Sequence, residues 1–353
     1  MSKAAICVVV PVYKAMATLD RCVESVLAQQ VEGGLTCILV DDGSPDESGT
    51  LCDAWAAKDD RVTVIHQDDL GVSGARNSGL AAADSEFIVF LDSDDALRPG
   101  ALQAALTAQR AAPQDFVVWH YTTDEKDPAA VTADAEPRTQ AGLARLWLDC
   151  LLAMPWNKLY RADLAKQLQF DVQYTLGEDL QFVLDYIALL GQTVPEFGYR
   201  VMTSPLTFYD CSRGGTLSTR YHANYCDIWP KHFAKLNAAC HVAACPAEDM
   251  RPLHRAELQV FAEGVADIMR RDPSPTQRLK GYKAEAALRS PWLRALLERM
   301  KIEHCYSAYY LPCRWRNVGL VCRVDEARRA NAPLYGKLDW AGYYLLLGRM
   351  RRD

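Results

Sequence analysis

Through its first 120 residues the chain alternates short apolar runs with amphipathic stretches, a pattern that few folds accommodate. The runs are "ICVVVPVY", "LTCILVDD", "RVTVIHQ", "EFIVFLDSD" and "DFVVWHY"; between them lie "LDRCVESVLAQQ", "PDESGTLCDAWAAKD", "GVSGARNSGLAAA" and "PGALQAALTAQRAA". Runs of this length, rich in Val and Ile, read as strands buried on both faces, while the intervening segments space their apolar residues as helices do. Strands covered by helices on both faces form a mostly parallel sheet, so the expected class is α/β.

Such sheets bind ligands at the carboxyl ends of their strands. There this sequence turns acidic: Asp41-Asp42-Gly43-Ser44 after the second run, Asp68-Asp69 after the third, and Asp92-Ser93-Asp94-Asp95 after the fourth. Mg²⁺ and Mn²⁺ prefer oxygen ligands and complete their shell with water and substrate phosphates, so one or two carboxylates suffice. Residues 92 and 94 share one side of an extended backbone, where both can face one cation. The same aspartates also suit a turn and a helix cap before "ALRPGALQAAL". The neighbouring acidic strand ends favour the cation.

At 353 residues the chain exceeds the usual size of one hydrophobic core. After the polar loop "TTDEKDPAAVTADAEPR", the segments "QAGLARLWLDCLLA", "MPWNKLYRADL" and "YTLGEDLQFVLDYIALLG" resume ordered patterns, and helical periodicity dominates from about Tyr221. We expect a first domain over 1–220, with parts at 1–120 and 140–220, and a helical region over 221–353. The net charge of -6 is two-ended: residues 1–269 carry -16 and residues 270–353 carry +10. An acidic first domain repels a polyanion, and no recognition motif is present, so nucleic acid is excluded as a partner. The twelve cysteines form no CxxC pair or zinc-type cluster, and several lie inside apolar runs, as reduced buried thiols do. No stretch reaches the roughly 18 apolar residues of a spanning helix. The opening "MSKAAICVVVPVYK" reads as a first strand rather than a signal peptide.

The segments "VVVPVYKAMATLDRCVESVLAQQ", "ILVDDGSPDESG", "DLGVSGARNSGLAAADSEFIVFLDSDD" and "GEDLQFVLDYI" resemble, in order and spacing, the motifs of bacterial family 2 glycosyltransferases of the GT-A fold. The match is strong over about 4–120 and looser over 140–220. The resemblance implies that Pro11, Val12 and Tyr13 lie against a nucleotide and that Asp41 or Asp42 accepts hydrogen bonds from its base or ribose. It implies that Arg76 and Asn77 point into a nucleotide-sugar cleft, and that Asp92, Ser93 and Asp94 meet the donor diphosphate, with Asp92 and Asp94 holding Mg²⁺ or Mn²⁺. It places the catalytic base at Asp179, with Glu178 as its local rival; acidic residues in a helix's first turn also complement its dipole. More loosely, it sets Trp156 and Lys158 at the acceptor and Arg213 at the diphosphate. The family more often has Asn where this chain has Asp69.

The implied function is inverting transfer from a nucleotide-sugar, UDP-linked, to a glycan or lipid-linked acceptor in bacterial surface polysaccharide synthesis. The rivals are a nucleotidyltransferase, although "PVYKAMATLD" lacks a Gly-rich phosphate loop, and a non-catalytic carbohydrate-binding or scaffold protein of the same fold. The basic, aromatic-rich residues 270–353 suit peripheral contact with the inner face of the cell membrane by a cytoplasmic enzyme. They suit equally a homodimer interface or docking on the acidic domain.

Overall fold

β1 (Ala4–Val12) is buried over nearly its whole length and pairs in parallel with β2 (Leu35–Asp42) on one side and β4 (Ser85–Phe90) on the other. β2 pairs in parallel with β3 (Val62–Gln67). The helices between them are α1 (Leu19–Leu27), α2 (Ser48–Lys58) and α3 (Gly71–Ala82). α1 turns Leu19, Cys22, Val23 and Val26 inward at helical spacing. Burying each such aliphatic side chain contributes about 1.5–3 kcal/mol. α3 lies so close to the sheet that a Cβ on Gly79 would stand 2.3 Å from Val9 Cγ1. Gly79→Ala would therefore push the helix off the strand whose end it serves.

The computed structural model describes residues 3–174, 176–212 and 220–332, together with 335 and 337. The chain forms two compact units, residues 1–214 and 215–353. In the first, the chain continues through β5 (Ala96–Leu97), α4 (Ala101–Ala111), β6 (Phe116–Thr122), β7 (Ala135–Thr139), α5 (Leu143–Leu148), β8 (Lys158–Arg161), α6 (Ala162–Ala165), α7 (Glu178–Thr193) and β9 (Gly198–Phe208). The strand order is β3-β2-β1-β4-β8-β6-β9-β5, with β7 also on β9. The sheet is parallel as far as β4 and mixed beyond it. β8 runs antiparallel to both β4 and β6, β9 is parallel to β6, and β5 and β7 are antiparallel to β9. The insertion of β8 between β4 and β6 makes this half mixed, because a strand arriving after the long excursion from 123 to 157 needs no right-handed crossover.

The second unit is helical: α8 (Tyr225–Val242), α9 (Ala247–Arg271), α10 (Gln277–Leu288), α11 (Pro291–Ile302), α12 (Tyr310–Arg314) and α13 (Val318–Arg329). It has its own core, in which Phe261 and Val265 of α9 join Leu293 of α11, Tyr309 and Val321. No described helix is long and apolar enough to cross a membrane. None of the twelve cysteines is in a disulfide. Burial pushes the thiol of Cys7 up to about 11 and, with Asp41 and Asp53 nearby, that of Cys52 to about 12. These thiols stay protonated and inert.

Candidate active site at the strand ends

Beyond the last residue of β4, Leu91 donates its N–H to Val9 O of β1, and the chain then leaves the sheet at Asp92. Two turns into neighbouring structure stands Arg76 of α3, its side chain only 4% exposed. Its guanidinium donates to Asp92 Oδ1 at 2.9 Å and to Asp179 Oδ1 at 2.5 Å. It also lies over the Phe170 ring, 5.4 Å from the centroid. Three positions far apart in sequence therefore meet on one cation.

Asp179 owes its place to the start of α7. Gly177, at the N-cap, takes φ +77°, a conformation glycine adopts without a Cβ penalty. Glu178 and Asp179 follow in the first turn, near the unsatisfied N–H groups of the helix. Burial pushes the Asp179 carboxyl up to about 7; Arg76 opposes the rise, and the negative Glu178 and Asp92 reinforce it. Its Oδ2 makes no hydrogen bond among the described residues.

Asp95 is fully buried, and its burial together with Asp92 and Asp94 pushes its carboxyl well up from the ordinary range. Oδ1 accepts from the Asp210 backbone N–H at 3.0 Å, which pins the chain after β9 beside the acidic turn. Arg21 of α1 reinforces that link by donating to Asp94 O (2.6 Å) and Asp210 Oδ2 (2.7 Å). The hydroxyl of Ser212 and then Arg21 hold Asp210 down at about 2. Arg21 and Asp210 were not singled out in the sequence, where "LDRCVESVLAQQ" shows a helix and nothing more; the one available signal is an arginine on a helix that leads away from a strand end.

Asp92 Oδ2 makes no hydrogen bond among the described residues, and Ser93 and Asp94 beside it are half-buried. Asp92 and Asp94 offer carboxylate oxygens at this turn, a donor type that fits a hard divalent cation such as Mg²⁺ or Mn²⁺ better than a soft one.

The β1 and β2 ends carry the remaining expected residues. Pro11 is buried opposite Val40, whereas Tyr13 is 44% exposed beyond the strand. Asp41 and Asp42 are both buried. Asp41 Oδ2 meets His66 Nδ1 at 3.0 Å and Oδ1 accepts from Ser44 N; against the effect of burial, Ser44 and His66 hold this carboxyl below its ordinary range. Asp42 Oδ1 accepts from Gln67 Nε2 (2.7 Å) and Leu70 N (3.0 Å). His66, missed in the sequence, also meets Asp53 at 2.9 Å, and its two carboxylates, Asp53 first, raise its pKa.

Three expectations need correction or fall outside view. Asn77 does not extend into the cleft: its amide donates to Phe170 O and its carbonyl accepts from Phe170 N, both at 2.8 Å, so it clamps the segment that supports Arg76. Lys158 does not line an open site. It is fully buried and donates to Leu151 O, Met154 O and Asn157 Oδ1, and burial pushes its pKa far down. Arg213 lies outside the described residues. Trp156, 3% exposed, stacks on Tyr209 at 5.4 Å and meets the edge of Tyr121.

Residues 7–169 match the family model described as Glycosyl transferase family 2. Over 124 residues the chain is 39% identical to Glycosyltransferase GlyG of Streptococcus pneumoniae, a match covering 35% of this chain and 41% of that one. Over 211 residues it is 31% identical to the Succinoglycan biosynthesis protein ExoO of Rhizobium meliloti, covering 54% and 58%. The matches thus span about half the length of these curated relatives. Among solved structures, that of S. aureus TarS 1-349 in complex with UDP-GlcNAc resembles this fold with a TM-score of 0.60 at 17% identity, covering 93% of this chain and 92% of that one.

Proposed function

With residues 7–169 constituting a family 2 glycosyltransferase domain, we propose that this chain is an inverting glycosyltransferase. It transfers a sugar from a UDP-linked donor to a glycan or lipid-linked acceptor in bacterial surface polysaccharide synthesis. The observation that carries this reading is the Arg76 guanidinium shared between Asp92 and Asp179. It joins a carboxylate suited to a donor diphosphate to one suited to a proton.

In this reading the buried strand ends of β1 and β2 receive the nucleoside, with Tyr13 exposed beside it and the carboxylates of Asp41 and Asp42 held by His66, Ser44, Gln67 and the Leu70 N–H. Asp92 and Asp94 are the residues that would hold Mg²⁺ or Mn²⁺, which when bound supplies Lewis acidity toward the leaving diphosphate. Asp179 takes the proton of the acceptor hydroxyl through its free Oδ2. A proton affinity near neutrality is what a general base requires, since it must be ionised before attack and still accept a proton during it. Arg76 keeps Asp179 ionised and oriented. Backside attack at the anomeric carbon, with the base opposite the diphosphate, inverts that centre. The UDP-GlcNAc complex of TarS and the name of ExoO support the donor and pathway classes. The helical unit, which carries the basic stretch 270–353, contacts an anionic partner.

Calorimetric titration with UDP, with and without Mn²⁺, tests the donor assignment. Metal-dependent binding that disappears in Asp92→Asn/Asp94→Asn is expected; absence of UDP binding by folded protein in both conditions overturns it.

A further inference from the structure

In the helical unit, the end of α10, the start of α11 and the turn after α12 enclose a pocket of about 270 Å³. Its floor is apolar, with Leu288, Leu293 and Leu297. Its rim carries four arginines, Arg289, Arg294, Arg314 and Arg316, against one acid, Glu298. Glu298 pairs with Arg314 at 3.3 Å, and Arg289 reaches Glu285 at 3.4 Å, both in exposed geometry. Arg294 and Arg316 have no acidic partner among the described residues. So much like charge gathered around one concavity repels itself unless an anion is shared.

The turn that closes α12 brings Arg316 to this rim. Asn317 N bonds Pro312 O and Arg316 N bonds Cys313 O, which closes α12 in a Schellman turn whose left-handed residue is Arg316, at φ +53°. Glycine occupies that position without a Cβ penalty. Here an arginine is held there, one residue after Trp315, which is 63% exposed. An exposed tryptophan between two arginines has the chemistry of a membrane interface, with the ring among headgroups and the guanidinia on phosphates.

We propose that this pocket binds a phosphate group, and that the group is the headgroup of an anionic phospholipid. The inference deepens, and rests on, the reading of the helical unit as a contact surface for an anionic partner. Lipid is favoured over a soluble phosphate because Trp315 stands beside the cationic rim with no buried role.

The test uses the full chain, vesicles of phosphatidylglycerol in phosphatidylcholine, vesicles of phosphatidylcholine alone, and inorganic phosphate. Sedimentation with the anionic vesicles is expected to fall at least about fivefold in Arg294→Gln/Arg316→Gln, and less in the charge-matched Lys280→Gln/Arg323→Gln. Trp315→Ala is expected to weaken vesicle binding while leaving phosphate binding unchanged. UDP titration and circular dichroism of each variant report that the fold persists. Equal vesicle binding by both double variants overturns the pocket while sparing the wider surface reading. Binding of neither vesicles nor phosphate by the unaltered chain overturns both, and phosphate binding without vesicle binding overturns the lipid assignment.

Discussion

Each unit of this protein contains a buried ionic cluster, and the two are built in opposite proportions. In the sheet unit one cation, Arg76, serves two carboxylates, Asp92 and Asp179. In the helical unit one carboxylate, Asp325 of α13, is fully buried and serves three cations: Arg270 at 2.5 Å, Arg329 at 2.9 Å and Arg328 at 3.2 Å. The consequences for charge run in opposite directions. Burial pushes Asp179 up to about 7, with Arg76 opposing the rise and Glu178 and Asp92 reinforcing it, whereas the three arginines hold Asp325 below its ordinary range despite burial. A carboxylate oversupplied with cations is a staple between helices. One that is undersupplied is poised to take a proton or lose its partner to a ligand.

The widest break in that comparison comes from removing the poised group. Asp179→Asn keeps the shape and the Arg76 contact but cannot accept a proton, and sugar transfer should fall by about 10²–10⁴-fold with UDP affinity retained. A radiolabelled or coupled transfer assay measures it; undiminished transfer by folded protein would refute the base assignment. Asp325→Asn should do the reverse. It leaves three arginines around a neutral amide and should cost about 2 kcal/mol in urea unfolding, less than the ~3–5 kcal/mol of a sealed pair because the arginines reach solvent. UDP affinity should not change; if it did, the staple would be part of the site. The smallest effect, and the most discriminating, concerns pH. The base works only when ionised, so kcat/KM should decline as pH falls through about 7. In Arg76→Lys, a single ammonium cannot bridge two carboxylates as the planar guanidinium does, so Asp179 loses stabilisation of its charged form and the acid limb should move to higher pH. An unmoved limb would assign it to another group.

The elements of the first unit were legible because buried strands and amphipathic helices leave local periodic traces, as in β1, β4 and α1. The acidic turn at 92–95 was legible for the same reason, since it interrupts one of those traces. The pairing of Arg76 with both Asp92 and Asp179 was not, because it depends on where α3, β4 and α7 arrive in space. Lys158 misled because a lysine is ordinarily exposed; its burial is paid for by three carbonyl oxygens from Leu151, Met154 and Asn157, contacts that no spacing announces. Asn77 misled because a polar residue beside a cleft can equally serve the backbone behind it. The antiparallel entry of β8 was hidden by its length, four residues between a loop and a short helix.

That late strand sets a timetable. β4 and β6 are complete by residue 122, yet until residues 158–161 have been made β4 lacks its second neighbour and β6 has none, and the outer half waits further for β9 at 198–208. During synthesis the chain therefore holds the unpaired edges of β4 and β6 open across tens of residues of translation. Nascent chains halted before residue 158 should engage chaperones, and those halted after 208 should not, because only then does every strand of the first unit have its mate.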